Sequence, residues 1–355
     1  MKSDPNSEPL WFNKDKQKLR EATICQRASE IKLPIIYVNC VGGQDELIFD
    51  GASFVANDTG KVAWRAKSFQ EELHSLKFSG QKPKLVDNLK LIPLMPQLDA
   101  IYTALKLGTH DYVTKNGFKG ALIGLSGGID SALTAAIAVD ALGAANVHCV
   151  IMPSRYTANI SIEDAKAQSE SMGTTHTVID IEPMFKQFLT ALSPIFKDKK
   201  PDTTEENIQA RIRGVLLMSL SNKFGDIVLT TGNKSELAVG YSTLYGDMAG
   251  GFGILKDIPK TMVYALAKWR NNRSDKQIIP ARVLERPASA ELSENQCDQD
   301  TLPDYKILDE ILERYVEHDE SISTICNAGF ERETVIKVTQ MINNNEYKRR
   351  QTPPG

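Results

Sequence analysis

The residues best suited to chemistry stand in one short stretch, Ser126-Gly-Gly-Ile-Asp-Ser131. Two hydroxyls, a carboxylate and two adjacent glycines lie between an apolar run at 121–125 and an alanine-rich apolar run at 132–142. Glycines let the backbone approach a phosphate closely, and the first turn of a helix offers N–H donors and a partial positive charge. Asp130 has the chemistry to hold the Mg²⁺ that accompanies a polyphosphate. The stretch predicts a polyphosphate site.

Two common phosphate-binding motifs do not fit this stretch. A Walker loop ends in Gly-Lys-Ser or Gly-Lys-Thr, and the dinucleotide fingerprint has a different glycine spacing. The apolar runs predict a buried strand over 121–125 and a helix over 131–142 that Gly143 closes. A plain turn between a strand and a helix needs neither the serines nor the aspartate, so the residue types favour a binding loop.

The composition restricts the class of protein. The 355 residues are 41% hydrophobic and 25% charged with a net charge of −3, which favours neither nucleic acid nor a membrane surface as partner. The first residues lack the apolar core of a signal peptide. The cysteines are scattered without a Cys-x-x-Cys pair, which indicates reduced thiols in a cytoplasmic protein and argues against a zinc or disulfide framework. They are Cys25, Cys40, Cys149, Cys297 and Cys326.

Strand and helix patterns alternate from residue 94 onward. Helices are predicted over 94–107, 131–142, 162–172, 184–192 and 207–223. Strands are predicted over 121–125, 146–152, 175–181 and 226–231. This order predicts a doubly wound parallel sheet that binds ligands at the carboxyl ends of its strands. The polar segment 197–206 is predicted to be a mobile surface loop.

Residues 1–85 follow a different pattern. They predict a helix over 14–31, a buried strand over 33–40 and a few short strands, too little to enclose a full core. We therefore predict two domains, 1–85 with its linker and 86–355.

A second motif, Thr230-Thr-Gly-Asn-Lys-Ser-Glu236, also joins a strand to a helix. Asn233 is a suitable helix cap. Glu236 has two interpretations: it is a second Mg²⁺ carboxylate beside Asp130, or it only complements the helix dipole.

Three further features carry polar or basic groups. The segment 240–253 is rich in glycine and aromatic residues and predicts a loop that covers a substrate. Lys260 follows a proline at a helix start, where a lysine is unfavourable unless it faces an anion. On that basis, Lys260→Ala should not lower the melting temperature of the protein without ligand. Arg211 and Arg213 lie on different faces of one helix, and one of them could bind a phosphate or a carboxylate, although spacing alone favours a solvated arginine.

These motifs resemble known families. Ser126–Ser131 after a buried strand resembles the pyrophosphate loop of the ATP pyrophosphatases, which split ATP between its α and β phosphates. Four further segments narrow the resemblance over nearly all of 86–355 to the NAD⁺ synthetases. They are Thr231–Glu236, Tyr245–Asp247, Pro259–Thr261 and Glu346–Arg349. Gly42–Ser53 resembles the closing strands of the nitrilase-type glutaminase domain in glutamine-dependent NAD⁺ synthetases.

The resemblance implies a fold and a reaction. The fold is the α/β sheet of the ATP pyrophosphatase, or adenine nucleotide alpha-hydrolase-like, type, preceded by a small α+β remnant of a nitrilase fold. The reaction is the ATP-dependent amidation of deamido-NAD⁺ (nicotinate adenine dinucleotide) through an adenylated carboxylate, with Mg²⁺ and in a homo-oligomer, a dimer or higher. The family's glutaminase nucleophile lies upstream of the first helix, and Cys40 has the pattern of a core residue. We therefore expect ammonia, rather than glutamine, as the nitrogen donor.

The resemblance also implies a role for each matching residue. Asp130 and Lys260 act in catalysis, and Asp130 and Glu236 bind Mg²⁺. The ATP site comprises Gly124, Leu125, Ser126, Gly127, Gly128, Ile129, Asp130, Ser131, Thr231, Lys260 and Ser289. Deamido-NAD⁺ is contacted by Arg211, Glu236, Asp247 and Lys348. Ser289 takes the place of a phosphate-contacting threonine.

Two alternatives remain open from the sequence. One is another ATP pyrophosphatase, such as a GMP synthetase or a tRNA thiolase, although a thiolase would be expected to carry reactive cysteine pairs and a basic RNA-binding surface. The other is a non-catalytic fragment. The intact loop motifs argue against decay of the ATP site.

Overall fold

The structure, a computed structural model, describes residues 16–81, 83–86, 91–197, 199–273, 277–294 and 296–355. The chain forms two compact units, a first unit of residues 1–112 and a second unit of residues 113–355. The division falls inside a helix, Gln97–Lys115. The predicted boundary lies after residue 85, and the assignment of the two regions as separate domains stays a prediction.

The first unit is a small α+β arrangement. Its elements are α1 (Lys16–Ile31), β1 (Ile35–Tyr37), β2 (Val41–Gln44), β3 (Leu47–Asp50), β4 (Phe54–Ala56), β5 (Val62–Arg65), β6 (Phe78–Ser79), β7 (Lys84–Leu85) and α2 (Gln97–Lys115). The strands β1, β4 and β5 form an antiparallel sheet in that order, and β2–β3 and β6–β7 are hairpins. Ala28 of α1 packs with Phe54 and Ala56 of β4. The unit's descent from a nitrilase fold stays a prediction.

One strand prediction in the first unit was wrong in extent. The apolar stretch 33–40 forms only the short strand β1, at one edge of the sheet, with Ile36 52% and Val38 74% exposed. An edge strand pairs on one side only, so an apolar run does not ensure that both faces are buried.

The second unit is a parallel α/β domain. Its elements begin with β8 (Ala121–Gly124), α3 (Ile129–Leu142), β9 (Val147–Ile151), α4 (Asn159–Met172), β10 (Thr175–Val178), α5 (Glu182–Phe196), α6 (Thr203–Phe224), β11 (Ile227–Thr230), α7 (Lys234–Val239) and β12 (Phe252–Gly253). They continue with α8 (Lys260–Asn271), α9 (Ala281–Glu285), α10 (Tyr305–Leu312), α11 (Ile322–Asn327), α12 (Arg332–Asn344) and α13 (Glu346–Arg349).

The five strands of this unit form one parallel sheet in the order β10-β9-β8-β11-β12. Leu122, Val150 and Val228 pack against Phe185 of α5 and Ile212 of α6. The helices α3 and α4 also pack against β8, β9 and β10. The predicted α/β fold with a parallel sheet is confirmed. The chain leaves β8 for β9 on one side and returns to β11 on the other, which opens a crevice at the carboxyl end of β8.

The loop predicted over 197–206 is shorter in the structure, because α6 already begins at Thr203. Asp202 caps this helix: its carboxylate accepts a hydrogen bond from the Thr204 amide at 2.8 Å, and Glu205 accepts one from the Asp202 amide at 2.8 Å. This reciprocal pair is a capping box built on aspartate, which the compositional argument for a loop overlooked. Residue 198 lies outside the described residues.

None of the helices in the described part of the chain has the length and apolarity needed to cross a membrane.

Candidate functional site

The glycine loop, residues 125–128, joins β8 to α3. Gly127 adopts φ +82°, and a Cβ added there would overlap the carbonyl oxygen of Ser161. Gly128 is the extended N-cap of α3. The amides of Ile129, Asp130 and Ser131 belong to the first turn of α3, so no carbonyl within the helix accepts a hydrogen bond from them. The loop therefore presents N–H donors at a helix N-terminus, as the sequence predicts for an anion site.

The two serines of the loop are tied to each other. Ser126 Oγ and Ser131 Oγ lie 3.0 Å apart, and Ser131 Oγ accepts a hydrogen bond from the Ser126 amide at 3.2 Å. The Gly128 amide donates to Ser126 Oγ at 3.2 Å. These bonds fix the loop as a compact turn, in which both hydroxyls bond within the loop.

A lysine bridges two carboxylates beside this loop. Lys260 Nζ lies 2.6 Å from Asp130 Oδ2 and 2.8 Å from Glu236 Oε1. The three groups come from the starts of α3, α7 and α8, and the Lys260 side chain is only 2% exposed. The sequence predicted all three as site residues, and the structure brings them together. The anion that the sequence required near Lys260 is supplied by the protein itself.

This arrangement changes what is expected of Lys260→Ala. From the sequence, Lys260 is expected to be an unfavourable charge at a helix start, so that its loss does not lower the melting temperature. In the structure, its loss would leave two neighbouring carboxylates without a cation, which destabilises a buried site.

The charges of the cluster shift one another's pKa values. Burial lowers the pKa of Lys260, but Asp130 and Glu236 outweigh it and hold the lysine protonated. Burial raises the pKa of Glu236 above its ordinary value, Lys260 partly offsets that rise, and Asp130 adds to it. When both carboxylates are ionised, one ammonium serves two of them, and the cluster then carries excess negative charge that favours a further cation.

Asn233 links the two strongest sequence motifs. Its side chain caps α7 by accepting from the Glu236 amide at 3.0 Å, as predicted, and its Nδ2 donates to Asp130 Oδ1 at 2.8 Å. The residue is fully buried. The second bond was not predicted, because nothing in the spacing of two distant motifs pairs their side chains.

The start of α8 is anchored by polar groups from two other helices. Ser235 Oγ accepts from the Lys260 amide at 2.8 Å and donates to Asp309, and Asp309 Oδ2 accepts from the Thr261 amide at 2.9 Å. These bonds fix the backbone from which Lys260 extends.

Tyr305 and Asp298 form the floor of the cluster, and sequence reasoning missed both. The ring centroid of Tyr305 lies 5.1 Å from Lys260 Nζ, and its hydroxyl donates to Asp298 Oδ2 at 2.8 Å. Asp298 is 3% exposed. Burial raises the pKa of Tyr305, with Glu236 and Asp298 adding to the rise, so the hydroxyl keeps its proton. The two residues stand in a region without a recognisable motif.

A cavity of about 710 Å³ opens over this cluster, a volume within the range of small-molecule sites. Its walls include the whole predicted phosphate cradle, and they also contain most of the other predicted site residues. The predicted residues that line it are Gly124, Leu125, Ser126, Gly127, Gly128, Ile129, Asp130, Ser131, Thr231, Glu236, Asp247, Lys260 and Ser289.

Two predicted substrate residues do not line the cavity. Arg211 is exposed, and its Nε donates to the Leu244 carbonyl at 3.2 Å. Lys348 Nζ donates to the Gly240 and Ser242 carbonyls at 2.7 and 2.8 Å. Both brace the predicted covering loop from outside. The substrate contacts of these residues stay predictions.

Arg213 is the arginine of that helix that lines the cavity. Its Nε donates to the Met152 carbonyl at 3.0 Å, and burial lowers the pKa of its guanidinium to about 10. The sequence left the choice between Arg211 and Arg213 open on spacing alone. Arg155, which follows β9, pairs with Glu182 and is not part of the cavity wall.

Loop 287–294 forms one wall of the cavity. Ser289 Oγ donates to the Gln296 carbonyl at 2.5 Å, so its hydroxyl is engaged within its own loop. Glu291 reaches α4, where it accepts from Ser161 Oγ at 2.6 Å and from the Ala158 amide at 3.2 Å. The phosphate contact expected of Ser289 stays a prediction.

The donor set fits a Mg²⁺ ion that is shared with a nucleotide. Asp130 and Glu236 supply two hard carboxylate oxygens beside a phosphate cradle, and Mg²⁺ is commonly held by one or two carboxylates plus substrate phosphates. Within the described ranges, no cluster of three or more Asp, Glu, His or Cys side chains could hold a metal alone. An ion here would therefore take its remaining ligands from phosphate and water.

Comparison with known proteins agrees with this geometry. The family model for NAD synthase matches residues 101–352, which include the glycine loop, the carboxylate–lysine cluster and the cavity walls. The chain belongs to the NAD synthase family. A glutamine-dependent NAD⁺ synthetase of Acinetobacter baylyi is 50% identical over 350 residues, covering 99% of this chain and 64% of the relative. The chain thus spans a little under two thirds of that relative.

Two solved structures are also similar to this chain. A glutamine-dependent NAD⁺ synthetase from Acinetobacter baumannii, in complex with adenosine diphosphate, is similar with a TM-score of 0.75 and 48% identity, over 97% of this chain and 63% of that chain. An NMN synthetase from Francisella tularensis is similar with a TM-score of 0.62 and 25% identity, over 72% of this chain and 97% of that chain.

Proposed function

We propose that the chain catalyses the ATP-dependent amidation of deamido-NAD⁺, giving NAD⁺, AMP and pyrophosphate. The observation that carries the proposal is the Asp130–Lys260–Glu236 cluster, set beside the glycine loop in one cavity at the carboxyl edge of a parallel sheet. Membership of the NAD synthase family supports the same reaction.

The chemistry explains why ATP is needed. A carboxylate oxygen is a poor leaving group, so ammonia does not displace it directly. An oxygen of the nicotinate carboxylate attacks the α-phosphorus of ATP, and pyrophosphate leaves. Ammonia then attacks the acyl carbon of the mixed anhydride, loses a proton, and AMP departs with the bridging oxygen. No protein nucleophile is required, and the protein must neutralise charge, align the groups and exclude water.

Each of these tasks has residues in the cavity. The amides of the glycine loop and the hydroxyls of Ser126 and Ser131 cradle the phosphates. Lys260 supplies a positive charge to the leaving pyrophosphate, and Asp130 and Glu236 would hold Mg²⁺. The ion, when bound, neutralises charge on the triphosphate. The A. baumannii relative in complex with adenosine diphosphate supports an adenine nucleotide site in this chain.

The substrate side of the cavity is the loop 240–253. Asp247 of this loop and Arg213 of α6 line the cavity, and the Asp247 carboxylate accepts from the Thr243 amide at 2.8 Å. We assign this side to deamido-NAD⁺, with Arg213 facing a phosphate or the carboxylate of a ligand. Arg211 and Lys348 position the loop, in addition to the substrate contacts that the resemblance implies.

We propose ammonia as the nitrogen donor used by this chain. In the part of the chain that the structure describes, no cysteine thiol is hydrogen-bonded to a histidine, a lysine or a carboxylate, whereas a nucleophilic thiol needs such a partner. Burial raises the pKa of the Cys25 and Cys149 thiols, which makes both poorer nucleophiles.

The test is NAD⁺ formation by the purified chain with ATP, Mg²⁺ and deamido-NAD⁺. We expect turnover with ammonium and none with glutamine at equal concentration. Nicotinate mononucleotide, the mononucleotide counterpart of the proposed substrate, should turn over more slowly. Failure to form NAD⁺ with either donor, in a folded sample that binds ATP, would refute the assignment. Turnover with glutamine would refute the choice of ammonia and would direct attention to Cys40.

A further inference from the structure

The ammonium group of Lys260 lies where a cation shared by Asp130 and Glu236 would lie. It is 2.6 Å from Asp130 Oδ2 and 2.8 Å from Glu236 Oε1. The other oxygen of Asp130 accepts from Asn233 Nδ2 at 2.8 Å, so Oδ2 is the oxygen that remains for a cation. The lysine therefore occupies Asp130 Oδ2 and Glu236 Oε1, one oxygen of each carboxylate, between which a shared metal ion would lie.

A metal ion and this ammonium are unfavourable neighbours. Mg²⁺ approaches its oxygen ligands to about 2.0–2.1 Å and requires a nearly octahedral arrangement. An ammonium within hydrogen-bond distance of the same two oxygens would lie close to the ion, where like charges repel strongly in a site with little water. Lys260 must therefore withdraw before a metal ion takes Asp130 Oδ2 and Glu236 Oε1.

We propose that Lys260 and a divalent metal ion are alternative occupants of the Asp130–Glu236 pair, and that the polyphosphate of ATP selects the metal by drawing the lysine away. The inference rests on the proposed function, which assigns ATP to this cavity. It makes the binding of metal and nucleotide cooperative: the metal binds weakly until the lysine has a phosphate to bind instead.

The surroundings let the lysine move while the carboxylates stay. Asn233 holds Asp130 through its side chain and caps the helix that carries Glu236, and neither bond involves the lysine. The Tyr305 hydroxyl lies 3.5 Å from Glu236 Oε1 and supports it from below. Lys260 has a flexible four-carbon stem and also lines the cavity, where the phosphates would lie.

The experiment measures Mn²⁺ binding without nucleotide, by the loss of the free-ion signal in electron paramagnetic resonance. It compares the wild type with Lys260→Met and with Lys256→Met, a matched change that removes a lysine from the same cavity wall. We expect Lys260→Met to bind Mn²⁺ at least about tenfold more tightly than the wild type, and Lys256→Met to match the wild type. The double variant Asp130→Asn/Lys260→Met should lose the gain.

Equal Mn²⁺ affinity of the wild type and Lys260→Met would overturn the proposal. An equal gain from Lys256→Met, or a gain that persists in the double variant, would do the same. If Lys260→Met does not fold, Lys260→Gln replaces it. Tight binding of Mn²⁺ by the wild type in the absence of nucleotide would also refute competition between the lysine and the metal. These titrations contain no substrate, so a failed NAD⁺ assay would refute the proposed function and leave the metal competition standing.

Discussion

Buried ion pairs in the two units differ in how their charges balance. In the first unit, Arg65 meets Glu21 in a two-pronged pair with Nε and Nη2 each 2.7 Å from a carboxylate oxygen, and Arg20 meets Asp50 at 2.5 Å. In each of these contacts, one guanidinium meets one carboxylate. In the second unit, Lys260 serves two carboxylates, with a third, Asp298, nearby.

The difference separates structural pairs from a functional one. The balanced pairs join α1 to β3 and β5 and satisfy their hydrogen bonds within the unit, since Arg65 also donates to the Ile92 carbonyl and Asn39 donates to Asp50. The unbalanced cluster lines a cavity and holds excess negative charge, an arrangement that costs folding energy and that a ligand relieves. An unbalanced charge at a cavity wall is thus a more informative sign of function than the burial of a charge.

The largest effect is expected from Asp130→Asn, which balances the cluster. The variant leaves one carboxylate for Lys260, so the free energy of unfolding should hardly change. Adenylation should fall by about 10³-fold, or about 4 kcal/mol, because the proposed metal ligand is lost. The measurement is exchange of labelled pyrophosphate into ATP, beside urea unfolding. Exchange at the wild-type rate would show that the imbalance has no catalytic role.

Arg65→Met should lower the free energy of unfolding and leave catalysis unchanged, the reverse of what is expected for Asp130→Asn. It leaves Glu21 buried without a partner, which should cost about 3 kcal/mol of unfolding free energy. Pyrophosphate exchange per folded molecule should be unchanged. Arg27→Met is the matched control, because its pair with Glu30 is 67% and 44% exposed, and its loss should cost less than about 1 kcal/mol. Equal losses from the two variants would contradict the structural role of the balanced pair.

Gly127→Ala tests whether packing, in addition to charge, shapes the site. The positive φ and the overlap with the Ser161 carbonyl should together cost about 2 kcal/mol and weaken ATP binding. Gly225→Ala is the control, because Gly225 has φ +80° with nothing within 4 Å of an added Cβ. It should cost about 1 kcal/mol and leave ATP binding intact. Indistinguishable variants would mean that the close approach is unimportant.

The smallest effect is expected from pH, and its sign should differ between the units. Burial by the surrounding protein raises the pKa of Asp247 to about 6, although the carboxylate is exposed toward the cavity. The folded state holds the proton longer than the unfolded state, so the stability that Asp247 contributes falls as pH rises from 3.8 to about 6.

Glu72 in the first unit should behave in the reverse way. Its hydrogen bond from the Lys67 amide, followed by its contact with His74, lowers its pKa from 4.5 to about 2. The stability it contributes is present above pH 4.5 and is lost as pH falls toward 2. Urea unfolding of Asp247→Asn and Glu72→Gln against the wild type across this range measures both slopes. If the contributions of Asp247 and Glu72 to the free energy of unfolding changed with pH in the same direction, the expected difference between the two units would be wrong.

The sequence predicted the parts of the site that lie on one local motif. The glycine loop, the cap at Asn233 and the parallel strands follow from short-range patterns that act within a few residues. The Asn233–Asp130 bond, the meeting of Lys260 with both carboxylates and the floor of Tyr305 and Asp298 depend on the packing of separate elements. No spacing in the sequence encodes such meetings, because they are set by strand order and helix placement.

The same limit explains why β1 is shorter than predicted and why spacing alone did not place Arg213 in the cavity wall. Which elements pack on β1 and which face of α6 meets the cavity are set by the assembly of separate elements. Both are tertiary properties that local propensity does not contain.

In the proposed reaction, the enzyme activates the nicotinate carboxylate by transferring AMP to it. Deamido-NAD⁺ carrying ¹⁸O in its nicotinate carboxylate tests this most directly, with ATP, Mg²⁺ and ammonium present. We predict that one ¹⁸O atom passes to the phosphate of AMP for each NAD⁺ formed, with unlabelled pyrophosphate as the other product. Label in inorganic phosphate together with ADP would show attack at the γ-phosphorus, and unlabelled AMP would show that no acyl adenylate forms. Either result would contradict the account.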